Sequence, residues 1–559
     1  MSADSSRRGF PALFPASPSR NTGGVRSLFR WLPARGWKRW LVLAVLAGAS
    51  LVMAVVVLVV SVIVAWNKSP RFQMWAMEKM MSMGPVEPTD VPGNPGLRAV
   101  YSGPLASAEA VRSAADIFQP TNVWNLHFIF TAGQWERIHY KRVPPVPGLV
   151  RDDGSVALRN TNASLNGLAG SLGFDFPWSE AEVEFGGRQF TNAGLRFKGN
   201  GTFLGAVRTY RKPWKLDLER NAKDQKFGGR SVFNFGNLSA DLTCLSDSLA
   251  YEYHRDAGNP APRTAFARLF LSIAGQETNR LLGPYVMVEN PDAEWARERF
   301  GRKGIALFKP VTYDLFADLG TDWTNYHGVY DPKTKTTAAQ RQRVIELARL
   351  HSHGTDEEFA ARLGEFLDLD SVARFLAAES LLANFDSFMG QGQNYLMSLD
   401  AEGKRFAFVP WDLDHAWGEF PMMGTPEQRE RLDIWHPWVE PNRFVARVFQ
   451  VEEFRKRYRA ELERQLATVF VPDRLNRRVD ELAAVFRPLA AEWSTNRLAK
   501  LESAVSTNFV PRVEGGDPFS PNRPAWQLKR FIEARAASVR AQLDGKETGQ
   551  VISRKQEGK

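Results

Sequence analysis

Two acidic segments hold the side chains best suited to chemistry, Asn384–Tyr395 (NFDSFMGQGQNY) and Phe408–Gly418 (FVPWDLDHAWG). They supply three carboxylates, Asp386, Asp412 and Asp414, together with several amides, among them Asn394. Asp412 and Asp414 are two residues apart, and on a strand that spacing projects both from one face. Hard oxygens so arranged suit Mg²⁺ or Mn²⁺. A divalent metal held this way is suited in turn to a phosphorylated ligand. His415 directly follows Asp414, so a continuing strand would turn it to the opposite face, as a structural hydrogen-bonding histidine.

Upstream, Leu195–Gly205 reads LRFKGNGTFLG, a strand running into Gly199, Asn200 and Gly201. Such a loop lets backbone N–H groups approach phosphates. No Gly-Lys-Ser/Thr ending follows, so it is not a Walker A loop, and alone it reads equally as a β-turn. Arg211–Leu218 (RKPWKLDL) then reads as a strand carrying Lys212 and Lys215. A strand lysine after a glycine-rich loop is placed to hold phosphates; the alternative is a solvated edge lysine. Glu289 is open to two readings, a functional linker residue or a satisfied salt bridge. Lys309 is open to a ligand contact but reads somewhat more readily as a surface lysine.

These residues need elements to position them. Val123–Phe130 reads as a strand, and Ala181–Phe185 and Phe190–Phe197 flank Gly186–Gly187 as a hairpin. Leu149–Pro177 is rich in Gly, Asn and Ser and reads as an insertion or long loop. Asp241–Ala257 has apolar residues at helical spacing, and Phe266–Ile273 and Leu281–Glu289 follow as strands about Gly275. From 336 onward the pattern turns helical: Thr337–His351, Asp356–Leu367, Asp370–Asn384, Arg443–Phe470, Pro472–Trp493 and Trp526–Leu543. Asp386 and Asn394 thus fall on a loop after an apolar helix. The absence of regular strand–helix alternation argues against a doubly wound sheet.

The 559-residue chain carries a net charge of +10, unevenly placed. Residues 1–39 hold eight basic residues against the single acid Asp4, which leaves +7 there and +3 for the rest. The high pI therefore records a basic tail, and no nucleic-acid partner is expected. Trp40–Trp66 is a run of 27 uncharged residues. As a helix it would extend about 40 Å, enough to cross a membrane with some tilt. Its length exceeds a signal-peptide apolar region. The expectation is a single-pass anchor with a cytoplasmic N-terminus and a large extracytoplasmic domain, by the positive-inside rule. The expected divisions are a basic disordered tail at 1–39, the membrane helix at 40–66 and a juxtamembrane segment and linker at 67–97. A strand-rich lobe follows at 98–320, a helical lobe at 321–544 and a charged, frayed tail at 545–559. Cys244 is the single cysteine and reads as a small core residue.

Taken in order, several segments resemble the CotH-type kinases, a family with an atypical protein-kinase-like fold. The segments are GLRFKGNGTF (194–203), KPWKLDL (212–218), the helix after Asp241, LLGPYVMVEN (281–290), LFKP (307–310), LLANFDSFMGQGQNY (381–395) and PWDLDHAWG (410–418). The resemblance implies an α+β fold of two kinase-like lobes, a strand-rich N-lobe and a helical C-lobe. It places Gly199–Gly201 over a nucleotide, Lys215 (or else Lys212) on phosphates, and Val288–Asn290, including Glu289, as a linker near adenine. It makes Asp386 the catalytic aspartate, Asn394 an aid to metal or phosphate, and Asp412 and Asp414 ligands of Mg²⁺, with the main ligand of the two left open. The implied activity is transfer of phosphate from Mg-ATP, or with Mn²⁺, to Ser or Thr of a protein substrate. AMP transfer has the same requirements. The alternative from another class is an envelope or cell-surface binding protein on a kinase-like scaffold with weak or no catalysis. A metal-dependent glycosyltransferase, suggested by the Asp412–Asp414 pair, lacks the strand–helix alternation it needs.

Overall fold

Strands with a strict two-residue rhythm form the first half of the described chain. β1 (Val123–Phe130) and β4 (Ser179–Phe185) alternate buried and partly exposed positions, as strands with one buried face do. Between them lies a minimal pair, β2 (Lys141–Arg142) and β3 (Phe174–Asp175). β5 (Arg188–Phe197) follows β4 across Gly186 and Gly187, both with positive φ (58° and 90°), the backbone of a two-residue hairpin turn. β6 (Trp214–Asp217), β7 (Val232–Gly236), β8 (Thr264–Ile273) and β9 (Glu277–Glu289) complete the set. Seven of these close into a barrel in the order β1-β4-β5-β6-β7-β9-β8. The closing pair, β1 with β8, is parallel; the other pairs are antiparallel. The computed structural model describes residues 86–143, 173–199, 201–510 except 313 and 391, and 526–553, with a few isolated positions.

The barrel interior is largely aromatic. Trp214 packs 4.7 Å from Phe197 and 5.4 Å from Phe128, centroid to centroid, inside a core that also holds Phe185, Phe233 and Phe235. A fully buried Phe contributes about 2–3 kcal/mol relative to exposure. A second core lies among the helices and a three-stranded sheet of β10 (Ala306–Phe308), β11 (Tyr395–Leu399) and β12 (Phe406–Pro410). β8 and β9 serve both cores. Ala265, Ala267, Tyr285 and Met287 face the barrel interior, whereas Phe266, Val286 and Val288 face the helices. Phe266 stacks 5.0 Å from Phe486 of the helix Pro472–Trp493. This explains why β8 and β9 read as near-continuous apolar runs.

Several expectations are corrected here. The strand-rich half is a closed barrel, and helices and strands mix beyond it, so the fold is not the two-lobed kinase-like arrangement after a membrane helix. No helix among the described residues is long and apolar enough to cross a membrane. The longest described one, Pro472–Trp493, has charged residues along its length and packs on β9. The single-pass topology is therefore not carried by the structure; residues 40–66 themselves lie outside the described residues apart from Ala44. Residues Met74–Lys559 form one compact unit, and Met1–Gln73 is assigned to another. The end of the chain is not frayed through residue 553: Gln550 bridges to Leu432 and Ile552 is buried. Most of Leu149–Pro177 and all of 554–559 lie outside the described residues.

Candidate functional site

The strand register builds one wall of the site. Arg196 on β5 pairs with Lys215 on β6, and Lys215 with Asn234 on β7. Their neighbours Phe197, Trp214, Phe233 and Phe235 fill the barrel core. By alternation the row Arg196–Lys215–Asn234 points outward. It faces a cavity of about 200 Å³, which Lys198, Gly199 and Asn290 also line. Lys215 Nζ donates to Asn290 Oδ1 (3.2 Å), which also accepts from Asn234 Nδ2 (3.2 Å).

The facing wall comes from β10 and the β11–β12 hairpin. Lys309 follows β10 directly, and Lys333 and Asp331, which pair with each other, lie beside it in the lining. The hairpin opens at Asn394 and Trp411, whose N–H donates to Asn394 O (3.3 Å). Lys198 and Lys309 sit 5.4 and 5.7 Å from the centroid of the Trp411 ring. Asn394 and Asp412 both have positive φ (59° and 58°), and both line the cavity. Such backbone in non-glycine residues costs energy and clusters at functional sites.

Asp386 is delivered by a tight loop after the helix Leu369–Leu382, which ends on left-handed Ala383 (φ 42°). A Cβ at Gly390 would lie 1.9 Å from Phe385 O, so only glycine fits this turn. Gln393 Nε2 donates to Asp386 Oδ1 (3.1 Å), and Asn394 Nδ2 to the Asp386 carbonyl (2.8 Å). Ligand atoms of Asp386, Asp414 and His415 lie within 4.8 Å of one another.

Cations converge on the cavity from both walls, and carboxylates crowd together beside Asp412. Burial, reinforced by Arg196, Lys333, Lys198 and Lys309, pushes the Lys215 ammonium down to about 7. Burial, with Lys333 next, lowers Lys309 to about 8. Burial raises Asp386 to about 7, with Asp412 adding to the rise. Asp414 and Asp247 are also pushed up, by burial first and then by Asp412. A crowded set of carboxylates, each disfavouring its neighbour's charge, suits a divalent cation. Asp414 and His415, with Asp412 beside them, would hold one next to Asp386.

Some expected residues stand elsewhere. Lys212 does not line the cavity: its ammonium donates to Thr209 O and lies 5.3 Å from the Phe197 ring. The strand begins only at Trp214, so the outward row includes Lys215 and excludes Lys212. Glu289 is a buried structural anion. Burial pushes its carboxyl up, but Arg263 (2.6 Å), with Arg299 and Arg230, holds it below the usual range. Gly201 opens the short helix Gly201–Gly205 and is not among the lining residues, and Asn200 lies outside the described residues. The strand ends at Pro410, so the same-face argument for Asp412 and Asp414 does not apply, and His415 joins the carboxylates instead of facing away. Lys309 is largely buried and faces the cavity, not solvent.

Sequence reasoning passed over Lys198, Lys333, Asn234, Asp247 and Tyr251. A usable signal existed for Asn234, and for Arg196, which was also passed over: the row 196–215–234 follows once three consecutive strands are aligned. Asp247 and Tyr251 reach the site only through tertiary packing. Asp412 N–H donates to Tyr251 Oη (2.8 Å) and Leu413 N–H to Asp247 Oδ1 (2.8 Å).

Residues 195–539, which include every site residue named here, match the family described as CotH kinase protein. The chain is 24% identical over 268 residues to the inner spore coat protein H of Bacillus subtilis (strain 168), an alignment covering 47% of this chain and 69% of that protein. The chain belongs to the CotH kinase protein family.

Proposed function

We propose that this chain transfers the γ-phosphoryl group of ATP, with Mg²⁺ or Mn²⁺, to a Ser or Thr hydroxyl of a protein. The observation that carries the reading is one cavity lined by Lys198, Lys215, Lys309 and Asp412, with Asp386 and Asp414 crowded close to Asp412. Phosphoryl transfer asks mainly for positioning and charge neutralisation, and these two walls supply both. Lys215, Lys198 and Lys309 would neutralise the polyphosphate, and Gly199 leaves room for close approach. Asp412, Asp414 and His415 would hold the divalent cation, which would supply neutralisation of phosphate charge. Asp386 accepts the hydroxyl proton as the new O–P bond forms and the bond to ADP breaks. Its carboxyl, raised to about 7, lies near the range where a general base is effective. Gln393 and Asn394 hold that loop in place.

Incubating the full chain with ATP and Mg²⁺, followed by intact-mass analysis of added protein, tests the reading. A gain of about 80 Da supports phosphorylation and about 329 Da supports AMP transfer, since phosphate and AMP add those masses. No ATP binding at millimolar concentration would remove the catalytic reading. It would favour a binding protein with weak or no catalysis, a reading consistent with the coat-protein name of its Bacillus relative.

A further inference from the structure

The acidic loop is not held by its own hairpin alone. Helix Ser246–Asp256, distant in sequence, together with Leu242 just ahead of it, is stitched to it by five hydrogen bonds. Asp412 N–H donates to Tyr251 Oη (2.8 Å), and Leu413 N–H to Asp247 Oδ1 (2.8 Å). Trp417 Nε1 donates to Ser246 O (3.3 Å). In return, Ser246 Oγ and Leu242 N donate to Glu419 (3.0 and 2.6 Å). Asp247 and Tyr251 are four apart, hence one turn apart on the same helix face. They grasp two consecutive backbone amides, and the first belongs to Asp412, whose φ of 58° is left-handed.

A left-handed aspartate relaxes toward ordinary backbone unless something holds it. Relaxation would turn the Asp412 carboxylate away from Asp386 and Asp414. Tyr251 is fully buried, so the N–H it satisfies has no ready water to take its place. We infer that Asp247 and Tyr251 are positioning residues, a two-point clamp through which the helix Ser246–Asp256 fixes Asp412 in its metal-binding conformation. The inference rests on the metal-dependent reading above. It goes further in making a helix that contributes no phosphate contact the determinant of metal affinity.

Tyr251→Phe removes one oxygen and keeps the ring in the core. In the full, metal-free chain, amide hydrogen exchange at Asp412 is expected to quicken about tenfold, the scale of one lost buried hydrogen bond. Exchange in the barrel strands should not change. Mn²⁺ affinity, titrated with ATP present, should fall by about the same factor. Asp247→Ala should speed exchange at Leu413 similarly, whereas Asp247→Asn keeps an acceptor oxygen and should restore slow exchange. Leu249→Ala, a core truncation on the same helix, serves as the control that lowers the thermal midpoint. If Tyr251→Phe lowers only that midpoint, leaving Asp412 exchange and Mn²⁺ affinity at wild-type values, the clamp is refuted. If exchange quickens as expected but wild type itself binds no Mn²⁺, the clamp stands and the metal-dependent reading falls.

Discussion

Arg196, Lys215 and Asn234 reach the cavity from three adjacent barrel strands, in register and backed by the aromatic core. Asn394 and Asp412 reach it from two loops that pass through left-handed backbone at Ala383, Asn394 and Asp412, and Asp386 and Asp414 lie on the same loops behind them. The cationic wall is rigid because it is part of a sheet. The acidic wall is precise only because neighbours restrain it: Gln393 on Asp386, and Tyr251 and Asp247 on the 412–413 backbone. The difference teaches that the strand row should tolerate substitution without loss of shape, whereas the acidic loops depend on a network of outer contacts.

The comparison breaks most sharply at Asp412. Asp412→Ala is expected to weaken metal-dependent ATP binding at least ~100-fold while leaving the chain folded. Calorimetry with and without Mg²⁺ reads this, and wild-type Mg-ATP affinity in the variant would take Asp412 out of the site. Asp386→Ala should cost about a hundredfold in turnover with much less effect on nucleotide binding. Unchanged turnover would remove Asp386 from the mechanism. On the opposite wall, Lys215→Met is expected to weaken ATP binding ~10-fold or more. The same change should raise the thermal midpoint of the ligand-free chain, because it deletes a buried ammonium crowded by four other cations. A lowered midpoint would mean that the bond to Asn290 outweighs that crowding.

The smallest effect sharpens the comparison through pH. Burial and neighbouring cations lower Lys215 to about 7 and Lys309 to about 8, so both shed protons in the free chain as pH climbs through those values. A polyanion favours the charged form, so binding of metal-free ATP near pH 8 should take up protons. Its affinity should fall about threefold to tenfold between about pH 6 and pH 9. Calorimetry in buffers of different ionisation enthalpy counts the protons, and a zero count would show the lysines already charged.

Much of the site was legible from residue type alone. Asp386, Asn394 and Asp412 stood out as carboxylates and an amide in two acidic segments, and Lys215 through the family resemblance. Their geometry was not legible, because the strand stops at Pro410 and Asp412 turns left-handed, which no two-residue rhythm encodes. Glu289 misled because its partners Arg230, Arg263 and Arg299 are brought to it only by the fold. Most strands and helices were readable from periodicity, but closure of the barrel was not. The β1–β8 pairing joins strands more than a hundred residues apart, and local pattern says nothing of such partners.

The two-sided burial of β8 and β9 has a consequence for how the molecule comes apart. The barrel cut away from its helices would expose Phe266, Val286 and Val288 as an apolar strip on a sheet, a surface prone to aggregate. The helices cut away from the barrel would lose the floor on which Phe486 packs. Neither half has a complete interior of its own. Unfolding from residue 86 onward should therefore proceed as one cooperative event, with the metal-facing loops and the phosphate-facing strands lost together.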